Sequence, residues 1–121
     1  MFNKDRYKII LDNLTSGITT VDKNGNIVYI NSMAGKILHL STDIISKNYM
    51  DAFKNYTELC DLIYNMIKEN KTVRRGEIVI THASILLKIG YSTMQVKDEN
   101  GELLGYTIIF QDLNLVGKYD K

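Results

Sequence analysis

The chain has 121 residues, of which 45% are apolar and 24% charged, and its formal net charge is +1. That length carries one domain with a modest core or shallow cavity, and the apolar share excludes an intrinsically disordered chain. A near-neutral balance with no basic block or acidic tail excludes the electrostatic footprint of a nucleic-acid binder. No apolar run reaches the roughly 18 to 20 residues that span a membrane, so this segment is expected to make no membrane contact.

The single cysteine, Cys60, cannot form an internal disulfide. With no secretory signal at the start, this favours a reducing, cytoplasmic setting. Proline is absent, so the turns must be built from Gly, Asn and Asp.

The first element reads as a helix over residues 1–16. Tyr7, Ile10, Leu11 and Leu14 repeat at i, i+3, i+4, i+7 and share one face, with Asn3 as a candidate N-cap and Phe2 and Tyr7 placed for a hydrophobic staple. Two short strands follow, Ile18–Asp22 and Ile27–Asn31, around Lys23-Asn24-Gly25-Asn26. An Asn-Gly pair between β-branched runs is a hairpin signal, because both residues tolerate positive φ. Asn31-Ser32 offers an N-cap to a short helix, Met33–Leu40, and the stretch 41–55 carries Ser/Thr/Asp punctuation expected of one or two helical turns. A longer helix is expected over Thr57–Glu69, with Asn55 and Glu58 spaced as a cap pair and an apolar stripe of Leu59, Leu62, Ile63, Met66 and Ile67. Three strands close the chain, Val73–Ile80, Ser84–Val96 and Leu104–Leu113, the last two joined by Asp98-Glu99-Asn100-Gly101. Short turns imply antiparallel pairing, so one five-stranded α/β (α+β) sheet with the middle helices on one face is expected.

Within this order, Val21-Asp22-Lys23-Asn24-Gly25-Asn26-Ile27-Val28-Tyr29-Ile30-Asn31 in the stretch 17–31 and Val96-Lys97-Asp98-Glu99-Asn100-Gly101-Glu102 in 96–106 resemble the PAS domain family. Phe110-Gln111-Asp112-Leu113-Asn114 is similar to that family's closing Asp-Ile-Thr signature, with Asn114 in place of Thr. The resemblance implies a five-stranded antiparallel sheet in the order 2-1-5-4-3, helices cupped over one face, and a ligand between that face and the long helix. It divides the chain into an N-terminal helix (1–16), a core (17–112) and the start of a linker to an output domain (113–121).

Strand alternation puts Tyr106, Ile108 and Phe110 on one face of their strand and Ile89, Tyr91 and Thr93 on one face of theirs. Cys60, Ile63, Tyr64 and Ile67 stand at i, i+3, i+4, i+7 on the long helix. Similarity to the light-sensing branch of the family implies that these sets, with Thr19 and Val21, point inward as cavity candidates. Tyr64, Tyr91 and Tyr106, with Thr19 and Thr93, would then ring one pocket with hydroxyls, unless the core is filled and the hydroxyls reach only its rim. On this reading Tyr64→Ala should disturb the domain more than Tyr56→Ala.

Other constellations carry less. Cys60 has no companion at metal-ligand spacing and reads as a small buried hydrophobe. The light-sensing branch needs a cysteine after an Asn in the helical patch, where this chain has Asn48-Tyr49, so no flavin adduct is expected. His39 and His82 lie off the long helix that carries the haem ligand in haem-binding relatives, and a buried, hydrogen-bonded Tyr64 is a better reading than an oxygen ligand to iron. No flavin or haem is expected, although an unknown small molecule could bind. Ser84, His82 and Asp98 form a catalytic set only on paper, since no nucleophile elbow supports them. Gly35 is isolated, so no phosphate loop forms, and Arg74-Arg75 reads as a solvated strand edge. No catalytic or metal site is expected, and the chain is read as a non-enzyme.

The resemblance is closest to sensor modules of bacterial two-component histidine kinases, which implies signal reception relayed to a kinase. The alternatives are the sensor of a transcriptional activator and a ligand-free dimerisation module. A homodimer is expected through Tyr7, Ile10, Leu11, Leu14 and the outer sheet face, because alternation turns Ile18 and Ile109 away from the cavity.

Overall fold

The structure is a computed structural model that describes residue 10 and residues 14–82 and 85–113, with the backbone alone at His82 and Ile85. Strands β1 (Gly17–Asp22) and β2 (Ile27–Ile30) precede three helices, α1 (Ser32–Leu38), α2 (Tyr49–Ala52) and α3 (Thr57–Glu69). Strands β3 (Gly76–His82), β4 (Ile85–Lys97) and β5 (Leu103–Asp112) follow. The sheet is antiparallel throughout, as the short turns predicted, and its order is β2-β1-β5-β4-β3, as the family resemblance implied. The N-terminal stripe falls largely outside the described residues: Tyr7 and Leu11 do, while Ile10 and Leu14 are exposed.

Two hairpin turns use one device. In the first, the Asp22 carboxylate accepts from the Asn24 and Asn26 amides, and Gly25 adopts φ +86°. In the second, the Asp98 carboxylate accepts from Asn100 and Glu102, and Gly101 adopts φ +82°. The aspartate satisfies amides that the reversal strips of ladder partners, and the glycine takes the left-handed conformation without a Cβ penalty.

Asparagines join helices to the sheet. Asn31, fully buried, accepts from Ala34 N–H as N-cap of α1 and from Ile18 N–H, and its amide donates to Ser16 O. Asn48 caps α2 through Met50 N–H and donates to Asn24 O and Asn26 Oδ1. The segment before α2 also covers the free edge of β2, through Ile27 N–H to Lys47 O and Ser46 N–H to Ile27 O.

The expected Asn55–Glu58 cap does not form. Tyr56 is the N-cap of α3, and no side chain bonds there, because its ring is buried in the core instead. The third strand begins later than expected. Val73 exchanges bonds with the backbone and hydroxyl of Thr93, which carries 73–75 off the ladder and leaves Arg74 and Arg75 in an exposed lead-in.

The core lies between the helices and one sheet face. It is centred on Phe53, Ile63, Ile89, Tyr106 and Ile108, all at most 2% exposed. Burying such side chains contributes about 1.5 to 3 kcal/mol each.

Candidate functional site

On α3 the buried positions are Leu59, Ile63 and Met66, spaced i, i+4, i+7, with Cys60, Leu62 and Ile67 half-buried on either side. At 3.6 residues per turn Tyr64 falls about 140° from Leu59, on the far side of the helix. It is 50% exposed, and Lys68 Nζ lies 5.5 Å from its ring centroid. The inward placement expected of Tyr64 is thereby corrected: the true stripe runs one residue earlier. Tyr56 is the buried tyrosine, and its hydroxyl donates to Leu38 O.

The remaining candidates face the helices or flank them. Thr19, Val21, Ile63, Ile89, Thr93, Tyr106, Ile108 and Phe110 are buried, and Cys60, Ile67 and Tyr91 are half-buried against the same core. The structure divides them by task. Tyr106 donates its hydroxyl to Asn70 Oδ1, which also accepts from Gln95 Nε2 at 2.9 Å. Asn70 ends α3 in the left-handed conformation at φ 52°, so one residue both terminates the helix and pins its last turn to β4 and β5. Thr93 Oγ1 accepts from Val73 N–H at 2.6 Å. Thr19 Oγ1 is buried with no hydrogen-bond partner among the described residues.

Between α3 and the sheet lies a small apolar cavity of about 10 Å³. Leu38, Leu59 and Leu62 bound it from the helices, and Ile78, Ile89, Tyr91, Ile108 and Phe110 from the sheet. This volume is about that of a single water-sized sphere, so the interior is filled in this conformation. Leu38, Leu59, Leu62 and Ile78 were not among the sequence candidates. The two α3 leucines do lie on the apolar stripe visible in the sequence, and that signal could have found them.

Cys60 donates its thiol to Phe53 O at 3.2 Å, and burial, with a smaller contribution from the Asp61 carboxylate, pushes its pKa up. Such a thiol stays protonated and is a poor nucleophile or metal ligand. Burial also raises the pKa of Tyr49 and Tyr56. Tyr49, at the Asn48-Tyr49 pair, lays its ring against Gly25, where a Cβ would fall 2.6 Å from it. No cluster of three His, Cys, Asp or Glu residues suited to a metal occurs among the described residues. No helix among them is long and apolar enough to cross a membrane.

A second, open groove of about 630 Å³ lies at one end of the sheet, lined by Ser16, Arg74, Gly76, Gly90, Ile109 and Leu113 among others. Ser16 precedes β1 and Leu113 follows β5, and Gln111 Nε2 donates to Ser16 Oγ at 3.2 Å. Both ends of the core therefore meet at this groove.

The family model for the PAS fold matches residues 5–113. The chain belongs to the PAS family. A signal-transduction and transcriptional-control protein of Clostridium beijerinckii is 30% identical over an alignment of 118 positions that covers 91% of this chain and 17% of that protein. The chain thus spans about a sixth of the length of this curated relative. The PAS domain of BvgS from Bordetella pertussis superimposes with a TM-score of 0.71 at 17% identity, covering 95% of this chain and 92% of that one. PAS domains are sensory modules, and the β2-β1-β5-β4-β3 sheet with helices on one face is the PAS arrangement.

Proposed function

We propose that this PAS domain receives a small-molecule signal beneath α3 and relays it through its flanking segments, 1–16 and 113–121, to an output domain. The observation that carries this reading is the junction of Ser16 with Gln111: a shift of β5 under α3 acts on both flanks at once. The apolar cavity supplies a place for the signal to act, and the unpartnered Thr19 hydroxyl beside Ile108 in the β1–β5 register supplies a polar point near it. We read the domain as performing no catalysis and carrying neither flavin nor haem, since Asn48 is followed by Tyr49 rather than a cysteine and no histidine lies on α3. It works in the cytoplasm as a dimer.

Control of transcription is the output favoured by the Clostridium beijerinckii relative, and phosphorylation by a sensor histidine kinase is the output implied by the sequence resemblance. Deleting residues 17–112 in cells and following transcript levels together with phosphotransfer tests both. A changed transcript profile with no phosphotransfer assigns the regulator, and lost or constitutive phosphotransfer assigns the kinase. An unchanged profile in both would overturn the relay.

A further inference from the structure

Two aromatic rings, Tyr91 and Phe110, line both the small cavity and the open groove and so stand between them. They are held differently. Phe110 is 3% exposed and wedged against Gly17, where a Cβ would come within 2.7 Å of its ring. Tyr91 is half-buried and lies over Gly76, the first residue of the edge strand β3. A Cβ on Gly76 would fall 2.5 Å from Tyr91 Cζ and 2.7 Å from its hydroxyl oxygen, so the ring rests in space that only a glycine leaves open. The ring also packs against the core and borders the groove. Tyr91 is the more exposed of the two rings.

On the same side the cavity is bounded by an uncapped helix start and an edge strand. Asn70 fixes the last turn of α3 to the sheet, whereas the start of the helix lacks a side-chain cap, and Leu59 in its first turn and Leu62 in its second line the cavity. Ile78 sits on β3, which has one strand neighbour among the described residues. Apart from the Tyr91 hydroxyl at the rim, no side chain lining the cavity offers a polar group. A charged guest would leave its charge unpaired there, while an apolar guest gains from leaving water.

Resting on the ligand reading above, we propose that the signal is a small neutral apolar molecule and that it enters the cavity from the groove past Tyr91, lifting the first half of α3. Methyl NMR of the 121-residue protein tests this with benzene as the neutral ligand and benzoate as its charged counterpart. Leu62→Ala, at a half-buried position, enlarges the cavity while sparing the fold. In it benzene should shift the Ile78, Ile89 and Ile108 methyls and benzoate should not. Adding Tyr91→Ala should speed benzene exchange at least tenfold, and Tyr91→Phe, which keeps the ring, should leave the rate unchanged. Gly76→Ala, which displaces the ring without removing it, should also speed exchange. Equal exchange rates with and without the Tyr91 ring would overturn the entry route and leave the ligand site standing. Equal shifts by benzoate would overturn the neutral class. No shift by benzene in any variant would remove the apolar site and, with it, the ligand reading.

Discussion

Tyr56 and Tyr64 sit eight residues apart and do opposite things. The first closes the core under α1 through its bond to Leu38 O, and the second stands in solvent beside Lys68. Tyr56→Ala should therefore cost about 3 to 5 kcal/mol in chemical denaturation, as removal of a buried ring does. Tyr64→Ala should stay within about 0.5 kcal/mol of the parent, as exposed substitutions do. This reverses the order expected from the sequence. Helical spacing shows that a stripe exists, but Cys60-Ile63-Tyr64-Ile67 and Leu59-Ile63-Met66 both satisfy it, and only packing selects between them. The same buried groups set a pH dependence. Tyr49, Tyr56 and Cys60 hold their protons more tightly when folded, so the unfolded chain releases them first as pH rises. Their contribution to stability is whole below the ordinary thiol value of 9.0 and is lost progressively above it, through the ordinary tyrosine value of 10.0 and beyond. Denaturation midpoints should be flat from pH 7 to about 8.5 and fall above it, and a midpoint that rises over that alkaline range would contradict the assignment.

At the scale of elements, asparagines in caps and turns do the joining. Asn31 satisfies two backbone amides, at Ile18 and Ala34, from a site with no solvent access. Asn31→Ala strands both, and roughly 2 to 6 kcal/mol should be lost, since each buried unsatisfied donor costs about 1 to 3 kcal/mol. Asn31→Asp keeps an acceptor and should recover part of that loss in the same denaturation series. The cap at Asn31 and both hairpins were legible in the sequence because their signals are local: an Asx residue before a helix, and Asn-Gly between β-branched runs. The cap of α3 was not, because Asn55-Tyr56-Thr57-Glu58 offers a local cap that burial of the Tyr56 ring overrides. The late start of β3 was hidden for a similar reason, as it depends on Thr93, twenty residues further along the chain.

Across the whole molecule, one antiparallel sheet with helices on one face was readable from the succession of elements and its strand order from the family resemblance, whereas the size of the cavity was not. Volume depends on how Leu38, Leu59 and Ile78, from three separate elements, close against one another, and no periodicity encodes that. The outer sheet face keeps Ile18 and Ile109 half-buried and Val79, Leu86 and Met94 about half exposed or more. Covering that face with a second copy predicts a dimer in light scattering at about 100 µM, where pairs of about −5.5 kcal/mol are half formed. Removing residues 1–14 should weaken the dimer without unfolding the sheet, and a monomer at that concentration would count against the shared face.

Signal reception beneath α3 is the central claim, and native mass spectrometry of the protein isolated gently from its own cells tests it most directly. The account predicts a fraction of molecules carrying the added mass of one small uncharged compound, with that fraction falling when Tyr91→Ala opens the cavity wall. A single ligand-free mass across preparations, with the dimer and its flanking segments unaffected by any small molecule from the same cells, would contradict it.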